Sequence, residues 1–356
     1  MLLLYRSCAQ GGHTPRVSLS SKSVLNANFA VVGAGVVGST VARLLQERYR
    51  SASVAIIADQ FHADTVSAVA AGIFRPGTSF QGPTPEITKK WVHDSWHYWR
   101  DIFQSPESTN AGLMELSTYV FSRDNPHVTK NHLIENLVPD YRAATEEELK
   151  TGQGWKYGVH FKTMKIDTMR YLPWAEKQFR ANGGRIIEKK IDSLDSLSGY
   201  DIVFNCTGLG AKTLCDDHDL VPIRGQVTRV RAPWVTSAYY GDYDAYIVPG
   251  LDGVVTLGGT RQYDSYNRGY CRHDAAAIME RCLELVPSLA RAAVVAHRVG
   301  LRPHRAPVRV EPGVGAARTV HCYGHGGYGV TCAPGTALHA LDLADQLLRT
   351  NTRPKL

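Results

Sequence analysis

Short runs of apolar residues, separated by glycines, divide the start of the chain into a strand, a helix and a second strand. The run Phe29-Ala-Val-Val leads into a glycine turn, and residues 41–46 have the apolar spacing of a helix. The run Ser53-Val-Ala-Ile-Ile-Ala is typical of a second buried strand. This order of elements is the one that opens nucleotide-binding sheets.

The rest of the chain alternates between helical spacing and the two-residue period of half-buried strands. Helices are predicted at 86–103, 145–150, 169–180, 274–289 and 335–349. Strands are predicted at 116–121, 158–162, 185–189, 201–205, 224–231, 246–249, 254–257, 297–302 and 319–323.

Glycine-rich turns follow predicted strands at both ends of the chain. One is Cys206-Thr-Gly-Leu-Gly, and the other is Gly324-His-Gly-Gly-Tyr-Gly, which precedes the last helix. The strands at 224–257 instead alternate cleanly, as antiparallel strands of a different sheet do. We therefore predict an α/β fold in which a Rossmann-type domain is built from distant segments, with a largely antiparallel β domain inserted between them.

The first turn carries a glycine fingerprint, Gly33-x-Gly35-x-x-Gly38. In such a fingerprint the first glycine makes the tight turn, the second lets backbone approach a diphosphate, and the third allows close packing of helix on strand. Asp59 follows the second strand, about where an acid that binds the adenosine ribose is expected. The alternative is a plain strand–turn–helix whose glycines serve only the turn.

Residues 65–72 are almost all small. Such a run would let a bulky planar ligand lie against the backbone, and it equally suits a tightly packed helix start. The residues alone leave both interpretations open.

Charge and composition exclude several classes of protein. The 40 basic and 33 acidic residues give a net charge of +7, but no dense basic run points to nucleic acid. No segment approaches the about 20 consecutive apolar residues of a transmembrane helix. The seven scattered cysteines fit reduced thiols, and we expect no metal site, because His93 and His97 lie in an aromatic run typical of packing and surface roles.

The two ends of the chain bear on its location. Residues 1–28 contain three basic residues, five serines and no acid, which suits a transit peptide, a disordered extension or a misassigned start. The C-terminal Pro354-Lys-Leu is close to the peroxisomal Ser-Lys-Leu address. Cytoplasmic and mitochondrial locations stay open, and so does the oligomeric state, with a homo-oligomer among the expected assemblies.

In combination, several motifs resemble those of the FAD-dependent D-amino acid oxidases over nearly all of residues 29–350. They are residues 31–38, 64–72, Tyr171-Leu-Pro-Trp174, Asn205-Cys-Thr-Gly208, Arg224-Gly-Gln226, Leu257-Gly-Gly259, Gly300-Leu-Arg-Pro303 and 321–329. Within the family, Gly258-Gly-Thr-Arg-Gln262 and Ala232-Pro-Trp-Val235 are similar to the D-aspartate oxidase branch.

The resemblance implies an FAD-binding domain of residues 29–84, 164–225 and 300–350, with a substrate domain of residues 85–163 and 226–299. It also implies peroxisomal location. The implied FAD contacts are Gly33, Ala34, Gly35, Val36, Val37, Gly38, Asp59, Gln60, Thr65, Ser67, Ala71, Gly72, Ile191, Thr207, Gly208, Arg302, Gly326, Gly327, Tyr328, Gly329, Val330 and Thr331.

The same resemblance implies the reaction and its site. Arg302 and Tyr246 would bind the α-carboxylate of a D-amino acid, the carbonyl of Gly327 would accept from its amine, and Arg261 would meet the second carboxylate of D-aspartate or D-glutamate. Hydride transfer to flavin N5 and reoxidation by O₂ would yield the 2-oxo acid, ammonia and hydrogen peroxide. We expect Arg261 to be buried and, without substrate, unpaired, which would make neutral substrates poor ones.

Three departures from the family pattern keep other functions open. Residues 236–244 carry no arginine where the aspartate branch has a substrate-facing one, and residues 326–331 look more like the neutral D-amino acid oxidases. Pro334 and Cys322 replace the usual Trp and the usual Asn or His near the flavin. The alternatives are a neutral D-amino acid oxidase, an NAD-dependent dehydrogenase and a flavoprotein without turnover.

Overall fold

The computed structural model describes residues 26–350, with the side chain of residue 350 excepted. Most of the predicted N-terminal extension and the Pro354-Lys-Leu signal lie outside the described residues. The strands are β1 Asn28–Val32, β2 Ser53–Ala58, β3 Leu113–Ser122, β4 Arg142–Ala143, β5 Tyr157–Ile166, β6 Arg185–Glu188, β7 Ile202–Asn205, β8 Val221–Arg231, β9 Ala238–Tyr240, β10 Tyr246–Pro249, β11 Val254–Gly258, β12 Gln262–Tyr263, β13 Ala293–Pro312 and β14 Thr319–His325. The helices are α1 Val36–Arg48, α2 Pro85–Phe103, α3 Glu146–Leu149, α4 Thr168–Ala181, α5 Ala211–Leu214, α6 Arg272–Leu285 and α7 Gly329–Thr350.

One half of the sheet is parallel, in the order β14-β7-β1-β2-β6. The apolar run of β1 is fully buried because strands flank it on both edges and helices cover the sheet. Helices α1 and α7 pack against each other and contribute to the core on one face. This half is the predicted Rossmann-type unit, and it brings the carboxyl ends of β1, β7 and β14 to one edge.

The other half is largely antiparallel, in the order β4-β5-β3-β9-β10-β11-β8-β13. The 20-residue strand β13 joins the two halves of the sheet. It pairs antiparallel with β8 on one side and antiparallel with β14 on the other. The predicted fold class, α/β with a largely antiparallel β region, is confirmed. The substrate-side strands and the nucleotide-side strands therefore form one continuous sheet.

The predicted domain division differs from this arrangement at two places. Its boundaries at 225/226 and 299/300 fall inside β8 and β13, which pair along most of their length. Helix α2, which we assigned to the substrate domain, packs against α7. The reason is its aromatic face: Trp99 Nε1 donates to the carbonyl of Thr331 at 3.2 Å, and Ser95 Oγ accepts from the Gly335 amide at 2.8 Å.

Most predicted elements have ends within four residues of the observed ones, and three extend five or more residues beyond a predicted end. Helix α1 begins at Val36 rather than 41, and α7 begins at Gly329 rather than 335. Strand β13 extends the predicted 297–302 strand in both directions. Among residues 26–350 the structure contains no helix that could span a membrane, and every described cysteine is free.

Candidate active site

A cavity of about 920 Å³ connects the glycine turn after β1 with the tyrosines of β9 and β10. It lies where the carboxyl ends of the parallel strands meet the antiparallel half of the sheet. The same cavity is lined by Gly33 and Gly35 at one end and by Tyr246, Arg261 and Arg302 at the other. A ligand held at the glycine end can therefore reach the arginines.

Two of the three fingerprint glycines, Gly33 and Gly38, leave no room for a side chain. Gly33 has a φ of +106°, and a Cβ there would lie 2.5 Å from the carbonyl oxygen of Cys206. A Cβ at Gly38 would overlap the carbonyl oxygen of Gly33. Gly38 does not line the cavity, so its role is the predicted close packing of α1 on β1 rather than ligand contact.

The N-terminus of α1 faces the cavity. Ser67 Oγ accepts from the Val36 amide at 3.0 Å, and no acidic residue lies in the first turn of the helix. Free amides and the positive end of the helix dipole there favour an anion. The glycine turn and the start of α1, residues 33–37, together with Ser67, form a cofactor cradle. This cradle fits the diphosphate of a dinucleotide such as FAD.

The remaining predicted cofactor residues line the same cavity. Asp59 and Gln60, at the carboxyl end of β2, are exposed, as a ribose-binding pair must be before the ligand arrives. The others are Ala34, Val37, Thr65, Ala71, Gly72, Ile191, Thr207, Gly208, Gly326, Gly327, Tyr328, Gly329, Val330 and Thr331. The small residues of segment 65–72 form short 3₁₀ turns rather than a long helix, and they fit a bulky planar ligand.

Arg302 lies at the substrate end of the cavity, on β13. Gly225 on β8, which pairs with Gly300 two residues before Arg302, makes room for it, because a Cβ at Gly225 would overlap the guanidinium. Arg302 Nη1 donates to the carbonyl of Thr260 at 2.9 Å. The guanidinium is thereby fixed, with further N–H groups free to bind a carboxylate.

Tyr246 stands beside Arg302. Its ring packs over Gly258 and Gly259, where a Cβ at either position would overlap or crowd it. Burial raises the pKa of the Tyr246 hydroxyl, and the Arg302 guanidinium opposes that rise. Since the net shift is upward, the hydroxyl is protonated at neutral pH and can donate a hydrogen bond.

Gly327 lies on the same side of the cavity as Arg302. A Cβ on Gly327 would sit 3.6 Å from Arg302 Cδ, so the two predicted substrate residues are neighbours. The hydroxyl of the adjacent Tyr328 lies 3.1 Å from Ser79 Oγ, and both residues line the cavity. The structure therefore brings Arg302, Tyr246 and Gly327 together.

Arg261 lines the mouth of the cavity, and the expectation that it is buried and unpaired is wrong. Its side chain is 42% exposed, and its Nη2 forms an ion pair with Asp244 Oδ1 at 3.2 Å. The reason is that the loop between β9 and β10 places the Asp244 carboxylate beside the Arg261 guanidinium. Arg261 faces the cavity with its charge already partly compensated.

Sequence reasoning missed two contributors to the substrate end. Gly225 stood in a family motif, but its role in seating Arg302 depends on the pairing of β8 with β13. Arg75 lines the cavity with its Cζ 4.2 Å from the ring centroid of Tyr240. The local signal for Arg75 was its place three residues after Gly72, where the small-residue run ends.

The two unusual residues near the cofactor are accommodated. Cys322 is buried and lines the cavity beside Cys206, and Pro334 is buried inside α7. No group of metal ligands occurs among residues 26–350; His93 and His97 on α2 instead contact each other, with their Nε2 atoms 3.0 Å apart.

Comparison with known proteins places the chain among its relatives. The family model described as FAD dependent oxidoreductase matches residues 28–343. The D-aspartate oxidase of Homo sapiens is 37% identical over 335 residues, which cover 92% of this chain and 97% of that protein. The D-amino acid oxidase of Dugesia ryukyuensis is 33% identical, with 90% of this chain and 98% of that protein covered.

A solved structure supports the fold. The glycine oxidase of Geobacillus kaustophilus superposes with a TM-score of 0.74 at 18% identity, covering 90% of this chain and 95% of that one. The family match spans both the glycine cradle and the Arg302 end of the cavity. The chain belongs to the FAD-dependent D-amino acid oxidase family.

Proposed function

We propose that this enzyme oxidatively deaminates acidic D-amino acids, D-aspartate and D-glutamate, to the 2-oxo acid, ammonia and hydrogen peroxide. The observation that carries the proposal is that one cavity contains both the cofactor cradle and the pair Arg302 and Tyr246. Further arginines line the same end of this cavity. The 37% identical human relative, named a D-aspartate oxidase, supports the acidic substrate.

In this proposal Arg302 and Tyr246 bind the α-carboxylate. The guanidinium of Arg302 offers parallel N–H donors, and its hydrogen bond to the Thr260 carbonyl fixes its orientation. Tyr246, as a neutral phenol, donates a further hydrogen bond. The carbonyl of Gly327 accepts from the substrate amine. Three fixed contacts define which hydrogen of the α-carbon faces the cofactor, so the protein contributes position and electrostatics.

When bound, FAD supplies the two-electron oxidation of the substrate and passes the electrons to O₂. The residues that would hold it are those of the cradle, from Gly33 and Ser67 to Asp59 and Thr331. Arg302 and Tyr246 are both partly buried, and partial burial strengthens their contacts with a carboxylate relative to those of fully exposed groups.

The second carboxylate would meet positive charge at the cavity mouth. Arg261 lies there and faces inward, although Asp244 shares its charge. A dicarboxylate that enters can compete with Asp244 for the guanidinium, because this ion pair is exposed and such pairs are worth about 0–1 kcal/mol.

A second candidate is an oxidase of neutral D-amino acids. The observation that favours it is the same Asp244–Arg261 pair, together with the tyrosines that line this end, Tyr240, Tyr243 and Tyr246. In that case Arg261 stabilises the loop through its ion pair with Asp244 and does not bind the substrate. The tyrosine rings then contact the apolar side chain of the substrate.

A peroxide-release assay on the FAD-loaded enzyme separates the two candidates. D-Asp, D-Glu, D-Ala and D-Met are compared, with L-Asp as the stereochemical control. We expect kcat/KM to be highest for the two acidic D-amino acids. Higher kcat/KM for D-Ala or D-Met contradicts the proposal and favours the second candidate.

A further inference from the structure

Arg75 is a cation of the cavity that has no acidic partner. Among the residues that the structure describes, no carboxylate forms an ion pair with Arg75, and no hydrogen bond to its guanidinium is found. Two acids that line the same cavity are engaged elsewhere: Asp244 pairs with Arg261, and Asp242 accepts from the backbone amide of Arg123. An arginine in this setting retains its full capacity to bind an anion.

The backbone that carries Arg75 is held on both sides. Phe74, fully buried, donates its amide to the carbonyl of Met164 at 2.8 Å and accepts from Thr163 Oγ1 at 2.6 Å. Pro76 accepts from the buried amide of Asn131 at 2.7 Å. The segment is therefore rigid before any ligand arrives, which lowers the entropy lost on binding.

The guanidinium itself is positioned by an aromatic ring. Its Cζ lies 4.2 Å from the centroid of Tyr240, within the range of a cation–π contact. The Tyr240 ring in turn lies 5.8 Å from the ring of Tyr246. Stacking uses the flat face of an arginine and leaves its N–H edge for a carboxylate, so Arg75 and the α-carboxylate site are linked through two neighbouring rings.

Arg75 and Arg261 differ in the properties that matter for recognition. Arg261 is 42% exposed and already paired with an acid, whereas Arg75 is partly buried, stacked and without an acidic partner. Screening by water weakens contacts at the exposed position more than at the sheltered one. Arg75 is thus the better placed of the two to bind a second carboxylate.

We propose that Arg75 is the residue that determines specificity for acidic D-amino acids, by binding the side-chain carboxylate while Arg302 and Tyr246 hold the α-carboxylate. This assignment rests on the proposed function.

The test uses FAD-loaded enzyme and two substrates of nearly equal shape, D-Asp and D-Asn, which differ in side-chain charge. For Arg75→Leu we expect kcat/KM on D-Asp to fall about 100-fold, because one partner of a sheltered charge pair is lost, with little change on D-Asn. Arg75→Lys should recover part of the loss. Arg291→Leu is the matched control, since Arg291 also stacks on a ring, 4.5 Å from Trp234, but lies outside the cavity.

A binding measurement accompanies turnover. Succinate and butyrate, a dicarboxylate and a monocarboxylate of equal length, are titrated against the flavin spectrum. We expect wild type and Arg291→Leu to prefer succinate, and Arg75→Leu to lose that preference. Flavin content of each purified variant checks its fold, and if Arg75→Leu lacks flavin, Arg75→Lys must still lower the D-Asp to D-Asn ratio.

The outcomes separate this inference from the proposed function. If wild type prefers D-Asp and the Arg75 variants keep that preference, Arg75 is not the specificity residue, while the proposed function stands. If wild type shows no preference for D-Asp over D-Asn, the proposed function fails and the role of Arg75 fails with it.

Discussion

The two ends of the cavity are built by different means. The cofactor end consists of glycines, small residues and backbone amides, contributed by turns that follow β1, β7 and β14. The substrate end consists of long charged and aromatic side chains, such as Arg302, Arg75 and Tyr246, that come from strands and loops far apart in the chain.

The difference shows what each end needs. A diphosphate is bound by backbone groups, so its site is fixed by conformation and by the absence of side chains. A small amino acid is recognised by a few side chains whose direction depends on their neighbours, as Arg302 depends on Gly225 and Arg261 on Asp244. We therefore expect glycine changes to remove the cofactor, and changes at the substrate end to alter turnover with the cofactor retained.

The largest effect is expected for Gly33→Ala. Its φ of +106° disfavours a side chain, and the new Cβ would lie 2.5 Å from the carbonyl oxygen of Cys206. We predict protein that purifies with little or no flavin, measured by its visible absorbance. Gly199→Ala, with no atom within 4 Å of the added Cβ, is the control and should bind FAD normally. Full flavin content in Gly33→Ala would contradict the claim that the turn at Gly33 binds the cofactor.

Gly225→Ala is expected to act at the other end. The added methyl would occupy the place of the Arg302 guanidinium, so the guanidinium must move away from the position in which it binds the α-carboxylate. We predict that kcat/KM falls about 100-fold on acidic and neutral D-amino acids alike, with flavin retained. In the double variant with Arg302→Leu the two losses should not add. A loss confined to one substrate class would show that Gly225 acts on something other than Arg302.

Asp244→Asn should have a smaller and opposite effect. Removing the acid leaves the positive charge of Arg261 at the cavity mouth uncompensated, which favours an anionic substrate even where Arg75 binds its side-chain carboxylate. The exposed pair that is broken is worth about 0–1 kcal/mol. We predict that kcat/KM on D-Asp rises by up to about fivefold, the rate equivalent of that energy, while D-Asn is unaffected. A decrease on D-Asp would mean that the ion pair organises the site.

The last effect concerns stability rather than turnover, and it arises at the cofactor end. Burial, reinforced by Arg309, lowers the pKa of His321 on β14 to about 4 from 6.5. The folded state disfavours the protonated ring, so this contribution is full above pH 6.5 and is lost as pH falls toward about 4, by up to about 1.4 kcal/mol per pH unit.

Urea unfolding at several pH values checks this contribution. We expect His321→Gln to show a shallower fall in unfolding free energy than wild type between pH 6.5 and about 4. Equal slopes would assign the acid sensitivity to other groups.

The residues proposed for the cofactor end can be grouped from the sequence because their determinants are local. The fingerprint at 33–38, Asp59 after β2 and the turn at 324–329 each belong to one strand–turn–helix unit, whose geometry follows from residue type and order. All predicted cofactor residues line the cavity except Gly38, which packs α1 on β1 as its place in the fingerprint requires.

The substrate end was predicted only in part because its determinants are tertiary. The motif identified Arg302, Tyr246 and Gly327, and the structure groups them. The Asp244 partner of Arg261 and the stacking of Arg75 on Tyr240 depend on how loops fold over the sheet. The placement of α2 on α7 was missed for the same reason, since helical spacing shows an apolar face but not what covers it.

The most direct measurement of the central claim is reduction of the FAD-loaded enzyme without oxygen. Wild-type protein is mixed with D-Asp, D-Asn or L-Asp, and loss of flavin absorbance is followed in a stopped-flow instrument. We predict that D-Asp bleaches the flavin at least about tenfold faster than D-Asn at equal concentration, and that L-Asp leaves it unchanged. Equal or faster bleaching by D-Asn would contradict recognition of two carboxylates in this cavity.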